Sequence, residues 1–142
     1  MTHSYDPQNI FARILRGEIP CHKVFEDDMT LAFMDVMPQA EGHTLVVPKT
    51  PARNMLDAAP DQLHAVVSTT QRIVRAVKVA FAADGVFVAQ FNEPAAGQTV
   101  FHLHFHIIPR MDGSPLRPHT GAMADNAVLA GHAARIREAL GG

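Results

Sequence analysis

The spacing of apolar residues along the chain predicts three helices. Ile10, Phe11 and Ile14 recur at helical spacing over 9–16, and Gly17 ends that short helix. A longer apolar stripe predicts a helix over 60–82, with Pro60 suited to its first turn. The members of this stripe are Leu63, Val66, Val67, Thr70, Ile73, Val74, Val77 and Phe81. A third helix is predicted over 127–140.

Runs of β-branched and aromatic residues predict five strands, at 23–26, 30–35, 43–47, 86–91 and 99–108. Turn-forming residues separate the first three strands, and these connections are of hairpin length. Strands joined in this way pair antiparallel, and helices then cover the sheet. The sequence therefore predicts an α+β fold, a five-stranded antiparallel sheet with one long and one short helix packed on it.

Composition narrows the class of protein. The chain has 142 residues, a length typical of one domain, and we expect a single domain over 1–142. A net charge of −2 with scattered basic residues argues against a nucleic-acid binder. No apolar run approaches the roughly 20 residues that cross a bilayer, and the first residues do not resemble a secretory signal. Since the lone Cys21 fits a reducing compartment, we expect a cytoplasmic protein with no membrane partner.

Candidate chemistry is concentrated in one predicted strand, where His102, His104 and His106 alternate with apolar residues. Alternate side chains of a strand point to the same face, so these imidazoles would lie about 6 to 7 Å apart in a row. The opposite face would be buried against the long helix and would carry Phe101, Leu103, Phe105 and Ile107.

Three hypotheses fit this row of imidazoles. It could be a solvated strand face, a metal site, or a centre for nucleophilic and acid–base catalysis. A metal site usually has four ligands with carboxylates behind them, and acids are scarce near this strand. Histidine titrates near pH 6.5 and can attack or exchange protons at neutral pH, which favours catalysis without deciding it.

The residues just before the histidines strengthen the catalytic hypothesis. Gly97, Gln98 and Thr99 offer close backbone approach, an amide and a hydroxyl, which suit phosphate oxygens. A turn is the ordinary role of such a segment. Next to three aligned imidazoles, it indicates a site for a phosphate-bearing ligand.

The segment from His102 to Ile108, with histidine and an apolar residue alternating three times, resembles the signature of the histidine triad family. The similarity extends over about 9–110, the predicted core, and leaves 111–142 as a tail. The other matching segments are Ile10 and Phe11 with Ile14, then 17–20, 25–28, 32–35, 38–40, 42–49 and 96–100.

The resemblance implies an activity and a role for each matching position. Members of the family are hydrolases and transferases that act on the α-phosphate of purine nucleotides. His104 would be the nucleophile that forms a nucleotidyl-histidine intermediate, and His102 and His106 would contact the phosphate and leaving group. His43 matches an earlier histidine of the family, and Asp35 matches the acid that binds the ribose hydroxyls. The remaining nucleotide-binding positions would be Ile10, Phe11, Ile14, Phe33, Val36, Asn92, Gly97, Gln98, Thr99 and Val100.

Several of these positions also have ordinary structural interpretations. Asp35 could cap a turn, His43 could be a structural histidine, and the apolar residues near position 10 could be core. Two departures from the family pattern stand out. Asn9 and Ala12 occupy positions where several bacterial relatives carry zinc-binding cysteines, and Phe91 occupies the position of a phosphate-binding amide. Asn92 is the neighbouring amide.

The resemblance predicts an enzyme that cleaves AMP conjugates of the nucleoside phosphoramidate type, closest to the bacterial Hint-like branch. No metal or other cofactor is expected, and a homodimer is implied by the family. Two alternatives remain open. Segments 96–100 and 69–72 also resemble diadenosine polyphosphate hydrolases, and a nucleotide-binding regulatory module would bind AMP with little turnover.

Overall fold

The structure is a computed structural model that describes residues 4–119 and 122–141. Its helices are α1 (Ile10–Leu15), α2 (Pro60–Ala80) and α3 (Asn126–Ala139). Its strands are β1 (Lys23–Glu26), β2 (Thr30–Met34), β3 (Thr44–Pro48), β4 (Gly85–Ala89) and β5 (Phe105–Arg110). A single 3₁₀ turn, Pro94–Ala96, lies in the connection between β4 and β5.

The five strands form one sheet in the order β1-β2-β3-β5-β4, and every neighbouring pair is antiparallel. The predicted α+β class and five-stranded antiparallel sheet are therefore confirmed. All three predicted helices are present, and α3 packs beside α2 and against β1. No described helix is both long enough and apolar enough to span a membrane.

Side-chain and backbone caps set the ends of the helices. Asn9 caps α1, because its side-chain oxygen accepts a hydrogen bond from Ala12 N–H at 2.9 Å. Asn9 and Ala12 are the two positions at which cysteines were expected in several relatives. In this chain the hydrogen bond between them caps the start of α1. At the start of α2, Pro60 lacks the N–H that would have no helical partner, and Gln62 accepts from Ala59 N–H at 2.7 Å.

The predicted last strand, over 99–108, is wrong at its N-terminal end, because pairing begins only at Phe105. Phe105 pairs with Val46 of β3, and two residues further along β3 stands Pro48, which has no N–H to continue the ladder toward Leu103. Leu103 N–H donates instead to the carbonyl of Ala52 at 2.8 Å, outside the sheet. Consequently, only His106 of the three aligned histidines lies in a strand.

Alternation along the strands gives the sheet two apolar faces. Ala32, Met34, Val46 and Ile107 pack in the main core with α2 and α3. A smaller core with α1 lies on the other face and contains Phe11, Leu31, Phe33, Leu45 and Val47. Cross-strand partners share a face, so the pairing of Leu45 with His106 places that imidazole on the α1 side.

The chain beyond Arg110 belongs to the folded structure. Leu129, Ala133 and Ile136 of α3 are fully buried in the main core. Gly42, in the connection between β2 and β3, has a φ of +84°, and a Cβ there would lie 2.6 Å from the Phe81 ring that follows α2. A residue without a side chain is therefore required where this turn approaches the main core.

Candidate active site

The connection between β2 and β3 brings Asp35 and His43 together beside β5. Asp35 N–H donates to the carbonyl of His43 at 2.9 Å, which extends the β2–β3 pairing beyond the strands. Nε2 of His43 lies 3.4 Å from Oδ2 of Asp35 and 3.0 Å from Nδ1 of His106. Three side chains predicted from separate parts of the sequence therefore meet on the α1 face.

The partners of His43 determine which nitrogens carry protons. Gln39 N–H donates to Nδ1 of His43 at 3.1 Å, so the proton of the neutral ring is on Nε2. This Nε2–H donates to Nδ1 of His106, which places the proton of neutral His106 on its own Nε2. The arrangement is a relay of hydrogen bonds that fixes both tautomers.

His104 has the opposite tautomer. Its Nδ1–H donates to the carbonyl of His102 at 2.6 Å, and a carbonyl oxygen only accepts. The lone pair is therefore on Nε2, for which no residue of 4–119 or 122–141 provides a hydrogen bond. The rings of His104 and His106 are 5.0 Å apart between centroids, with Phe11 on another side of His104 at 4.9 Å. His104 thus presents a bare nitrogen, on a ring that neighbours that of His106.

His102 is fully buried, and both of its ring nitrogens are engaged. Nε2–H donates to the carbonyl of Pro48 at 2.8 Å, and Nδ1 accepts from the hydroxyl of Tyr5 at 2.6 Å. In this structure, His102 anchors the segment that orients His104. Tyr5 was not identified from the sequence, since a lone tyrosine near the N-terminus gives no pattern that points to a site.

Burial keeps the imidazoles neutral. It lowers the pKa of His104 to about 4 and the pKa of His43 and of His106 to about 3, and it also lowers the pKa of His102. Neighbouring imidazoles add to the effect at His43 and His106, because two positive charges so close would repel. Near neutral pH the site therefore offers a nucleophilic lone pair and an N–H donor, with no positive charge on either ring.

Asp35, His43 and His106 also have donor atoms within 4.8 Å of one another, a spacing that could hold a metal ion. The hydrogen bonds argue against that use. With Gln39 N–H on Nδ1 of His43, the nitrogen that faces the other two residues bears a proton and has no lone pair for a metal. The donor set fits the relay of hydrogen bonds better than a metal centre.

The predicted apolar wall divides into exposed and buried parts. Ile10 is 46% exposed, and Ile14 and Val36 are half-buried. Phe11 and Phe33 are buried edge to face in the α1 core, with ring centroids 5.4 Å apart. The exposed part can contact a ligand directly, whereas the two phenylalanines support it from below.

The residues before the histidines form a braced loop. Gln98 is buried, and its carbonyl oxygen accepts from Asn54 and from Glu93 N–H, while its amide donates to the carbonyls of Arg53 and Val100. The side chain of Gln98 therefore holds the loop together. Gly97 and Thr99 are exposed in the same loop, and Gly97 has a φ of +104°.

The amide of Asn92 and the ring of Phe91 lie in different surroundings. Asn92 accepts from Met55 N–H at 2.9 Å and exchanges hydrogen bonds with Gln90. Phe91 instead packs edge to face on His106, with centroids 5.6 Å apart. At the position where the family pattern predicts an amide, this chain therefore has an aromatic ring against the relay.

Asp35 has two sets of partners. Its Oδ1 accepts from Met37 N–H at 2.8 Å, which is the turn cap considered in the sequence. His119 from the tail donates to the same carboxylate, with Nε2 at 3.3 Å from Oδ1 and 3.2 Å from Oδ2. Burial raises the pKa of Asp35, and the Met37 and His119 contacts lower it. His119 had no sequence signal, because it lies 84 residues from Asp35.

A large open cleft of about 830 Å³ lies elsewhere, between β1 and α3. It contains none of the predicted site residues. Three of its charged side chains pair with one another, since Glu26 contacts Lys23 at 2.8 Å and Lys49 at 2.7 Å. These two lysines lower the pKa of Glu26 to about 2. The cleft is open, and its central charges are already paired, so the histidine cluster remains the candidate active site.

Comparison with known proteins agrees with this geometry. The model of the HIT domain family matches residues 16–113. A crystal structure of a HIT-like protein from Bartonella henselae is 52% identical, with a TM-score of 0.93 over 96% of this chain and 99% of that one. A histidine triad nucleotide-binding protein from Candida albicans is 31% identical, with a TM-score of 0.70 over 83% of this chain and 85% of that one.

A curated relative from Arabidopsis thaliana, adenylylsulfatase HINT3, is 39% identical over 72% of this chain and 52% of its own length. The HIT domain match covers more than half of the chain and includes all four site histidines and Asp35. The resemblance inferred from the sequence is thereby confirmed, and the chain belongs to the histidine triad family.

Proposed function

We propose that this protein cleaves nucleoside phosphoramidates or related AMP conjugates at the α-phosphate through a nucleotidyl-histidine intermediate. At the coarser level, the family assignment makes it a nucleotide-binding hydrolase or transferase. The observation that carries the finer proposal is that His104 has a bare Nε2 and that its ring lies 5.0 Å, between centroids, from the ring of His106, whose proton is on Nε2. A neutral nucleophile next to a fixed donor suits attack on phosphorus.

The first step breaks the bond between the α-phosphorus and the leaving group. Nε2 of His104 attacks phosphorus, and the leaving amine departs with a proton that it gains from solvent. His106 donates a hydrogen bond to the phosphate or the leaving group, which stabilises charge in the transition state. Water then cleaves the phosphorus–nitrogen bond to His104, releasing AMP and regenerating the neutral imidazole. His102 acts in this scheme by holding the backbone to which His104 donates.

The nucleotide end of the substrate is proposed to bind across the connection between β2 and β3. The ribose hydroxyls would donate to Asp35, and a purine would lie on Ile10, Ile14 and Val36 above Phe11 and Phe33. The exposed Gly97 and Thr99 would face the phosphate, with Val100 behind them. Hydrogen bonds of the Gln98 and Asn92 side chains would hold this loop in position. An adenylylsulfatase among the relatives supports AMP conjugates as the substrate class.

We also propose a cytoplasmic homodimer. Two elements that would meet in it carry exposed apolar side chains. Edge strand β4 exposes Phe87 and Val88, and α2 exposes Val67 and Val79. A second copy that pairs with β4 and packs on α2 would cover these residues.

Mass spectrometry of the intact protein, quenched rapidly after mixing with adenosine phosphoramidate, tests the mechanism. Wild type should show a transient increase of one AMP group. His104→Ala should show neither the adduct nor turnover, yet still bind AMP, because Asp35 and the apolar wall remain. The matched control is His64→Ala, an exposed histidine on α2, which should behave as wild type.

Other outcomes separate the alternatives. AMP binding by wild type without adduct or release would overturn the hydrolytic proposal in favour of a regulatory module. Faster turnover of diadenosine polyphosphates than of the phosphoramidate would replace the proposed substrate class. Full activity in His104→Ala would exclude His104 as the nucleophile.

A further inference from the structure

We propose that His119 is an internal competitor for the ribose subsite, a side chain of the tail that a nucleotide must displace from Asp35. This inference rests on the proposed function, since it takes Asp35 as the residue that binds the ribose. It assigns an inhibitory role to a residue outside the matched histidine signature.

The carboxylate of Asp35 is already engaged at the position where a sugar would bind. Nε2 of His119 is nearly equidistant from the two oxygens, at 3.3 and 3.2 Å. One imidazole N–H therefore lies in the fork of the carboxylate. Two vicinal hydroxyls need that same fork to donate to both oxygens.

The backbone of the tail is tied to the loop that carries Asp35. Arg117 N–H donates to the carbonyl of Gln39 at 2.7 Å, and Ala124 N–H donates to the carbonyl of Val36 at 2.9 Å. The side chain of His119 is 33% exposed, in contrast to 6% for that of Asp35. The imidazole can therefore rotate into solvent while the backbone on both sides of it stays attached.

Competition of this kind has a defined thermodynamic effect. A ligand that uses both oxygens of Asp35 must first break the His119 contact, so its apparent affinity is its intrinsic affinity multiplied by the fraction of molecules in which that contact is open. A nucleotide without ribose hydroxyls does not need the fork and does not experience this competition. Removal of the His119 imidazole should therefore strengthen the binding of a nucleotide with ribose hydroxyls and leave the binding of a nucleotide without them unchanged.

Calorimetry with two nucleotides measures this difference. His119→Ala should bind AMP about fivefold more tightly than wild type, as expected for loss of one partly exposed hydrogen bond to a carboxylate. Its affinity for 2′,3′-dideoxy-AMP should be unchanged. His64→Ala is the control for loss of an exposed histidine and should match wild type with both ligands.

Unchanged or weaker AMP binding by His119→Ala would overturn the proposal, and weaker binding would make His119 a ligand contact. An equal gain for both nucleotides would also overturn it, because the effect would not involve the ribose. Asp35→Asn separates this result from a failure of the ribose assignment. If wild type and Asp35→Asn discriminate equally between AMP and its dideoxy form, then Asp35 does not bind the ribose, and both ideas fail together.

Discussion

At the scale of single residues, hydrogen-bond partners distinguish histidines that look alike in the sequence. His104 donates through Nδ1 and has a free Nε2, whereas His106 accepts at Nδ1 and carries its proton on Nε2. The difference arises because one ring faces a carbonyl and the other faces the N–H of His43. The same side chain can therefore be a nucleophile at one position and a donor at the next.

The relay predicts a specific effect of His43→Leu, which removes the donor while keeping a side chain of similar size. Without Nε2–H of His43, Nδ1 of His106 loses its donor, so the two tautomers of His106 become mixed. The donor acts on charge that develops during reaction, so kcat should fall about tenfold to a hundredfold, with AMP affinity within about threefold of wild type. Turnover of adenosine phosphoramidate and calorimetry with AMP measure the two quantities.

A spectroscopic measurement separates this positioning role from general damage to the fold. The ¹⁵N shifts of the imidazole nitrogens report which one is protonated. In wild type, His106 should be protonated on Nε2, and in His43→Leu the signal should be averaged. A fully retained Nε2–H tautomer together with a lowered kcat would contradict the relay.

At the scale of elements, a strand ends where its partner can no longer pair. The histidine segment alternates in the sequence as a strand would, but Pro48 stops β3 and the residues before Phe105 bond elsewhere. His102 therefore lies outside the paired part of the sheet, where it is fully buried and donates to the carbonyl of Pro48. The alternation therefore predicted a strand that begins six residues before the observed β5.

Edge strand β4 gives a prediction about assembly. Phe87→Asp should prevent the proposed dimer, because a charge would replace a 46% exposed apolar side chain at the pairing edge. Light scattering during gel filtration should give twice 15.5 kDa for wild type and 15.5 kDa for the variant.

Met123→Lys is the control for this experiment, since Met123 is 70% exposed in the tail, away from β4. It should remain dimeric. A monomeric wild type, or a dimeric Phe87→Asp, would be evidence against an interface on β4.

At the scale of the whole molecule, the buried imidazoles make stability depend on pH. The pKa values of His43, His104 and His106 are about 3, 4 and 3, below the ordinary value near 6.5 that they have when unfolded. The unfolded chain therefore binds more protons between about pH 6.5 and 4. Stability is full above pH 6.5 and falls as the pH is lowered, by up to about 4 kcal/mol per pH unit from three groups.

Urea denaturation at several pH values measures this dependence. Asp35 opposes the trend, because burial raises its pKa and favours the protonated folded form. His106→Asn removes one of the buried histidines with a lowered pKa and should reduce the slope by up to about 1.4 kcal/mol per pH unit. A slope that stays the same in this variant would mean that His106 is not held neutral in the folded state.

The sequence alone determined the sheet, the long helix and the family. These depend on local spacing, since apolar periodicity and the run from His102 to Ile108 are read along a continuous chain. It also predicted His43, Asp35 and the three triad histidines as site residues, and the structure brings Asp35, His43, His104 and His106 together.

Tertiary structure alone decided which nitrogens are protonated, that Gln98 braces a loop, and that Tyr5 and His119 reach the site. Each of these facts depends on contacts between residues distant in sequence, such as the 97 positions between Tyr5 and His102. Local propensity carries no information about such pairs, because their proximity follows from the packing of the folded chain. The sequence determines which positions carry histidine. The fold determines which nitrogen of each histidine is protonated and which group it contacts, and this makes the histidines chemically different.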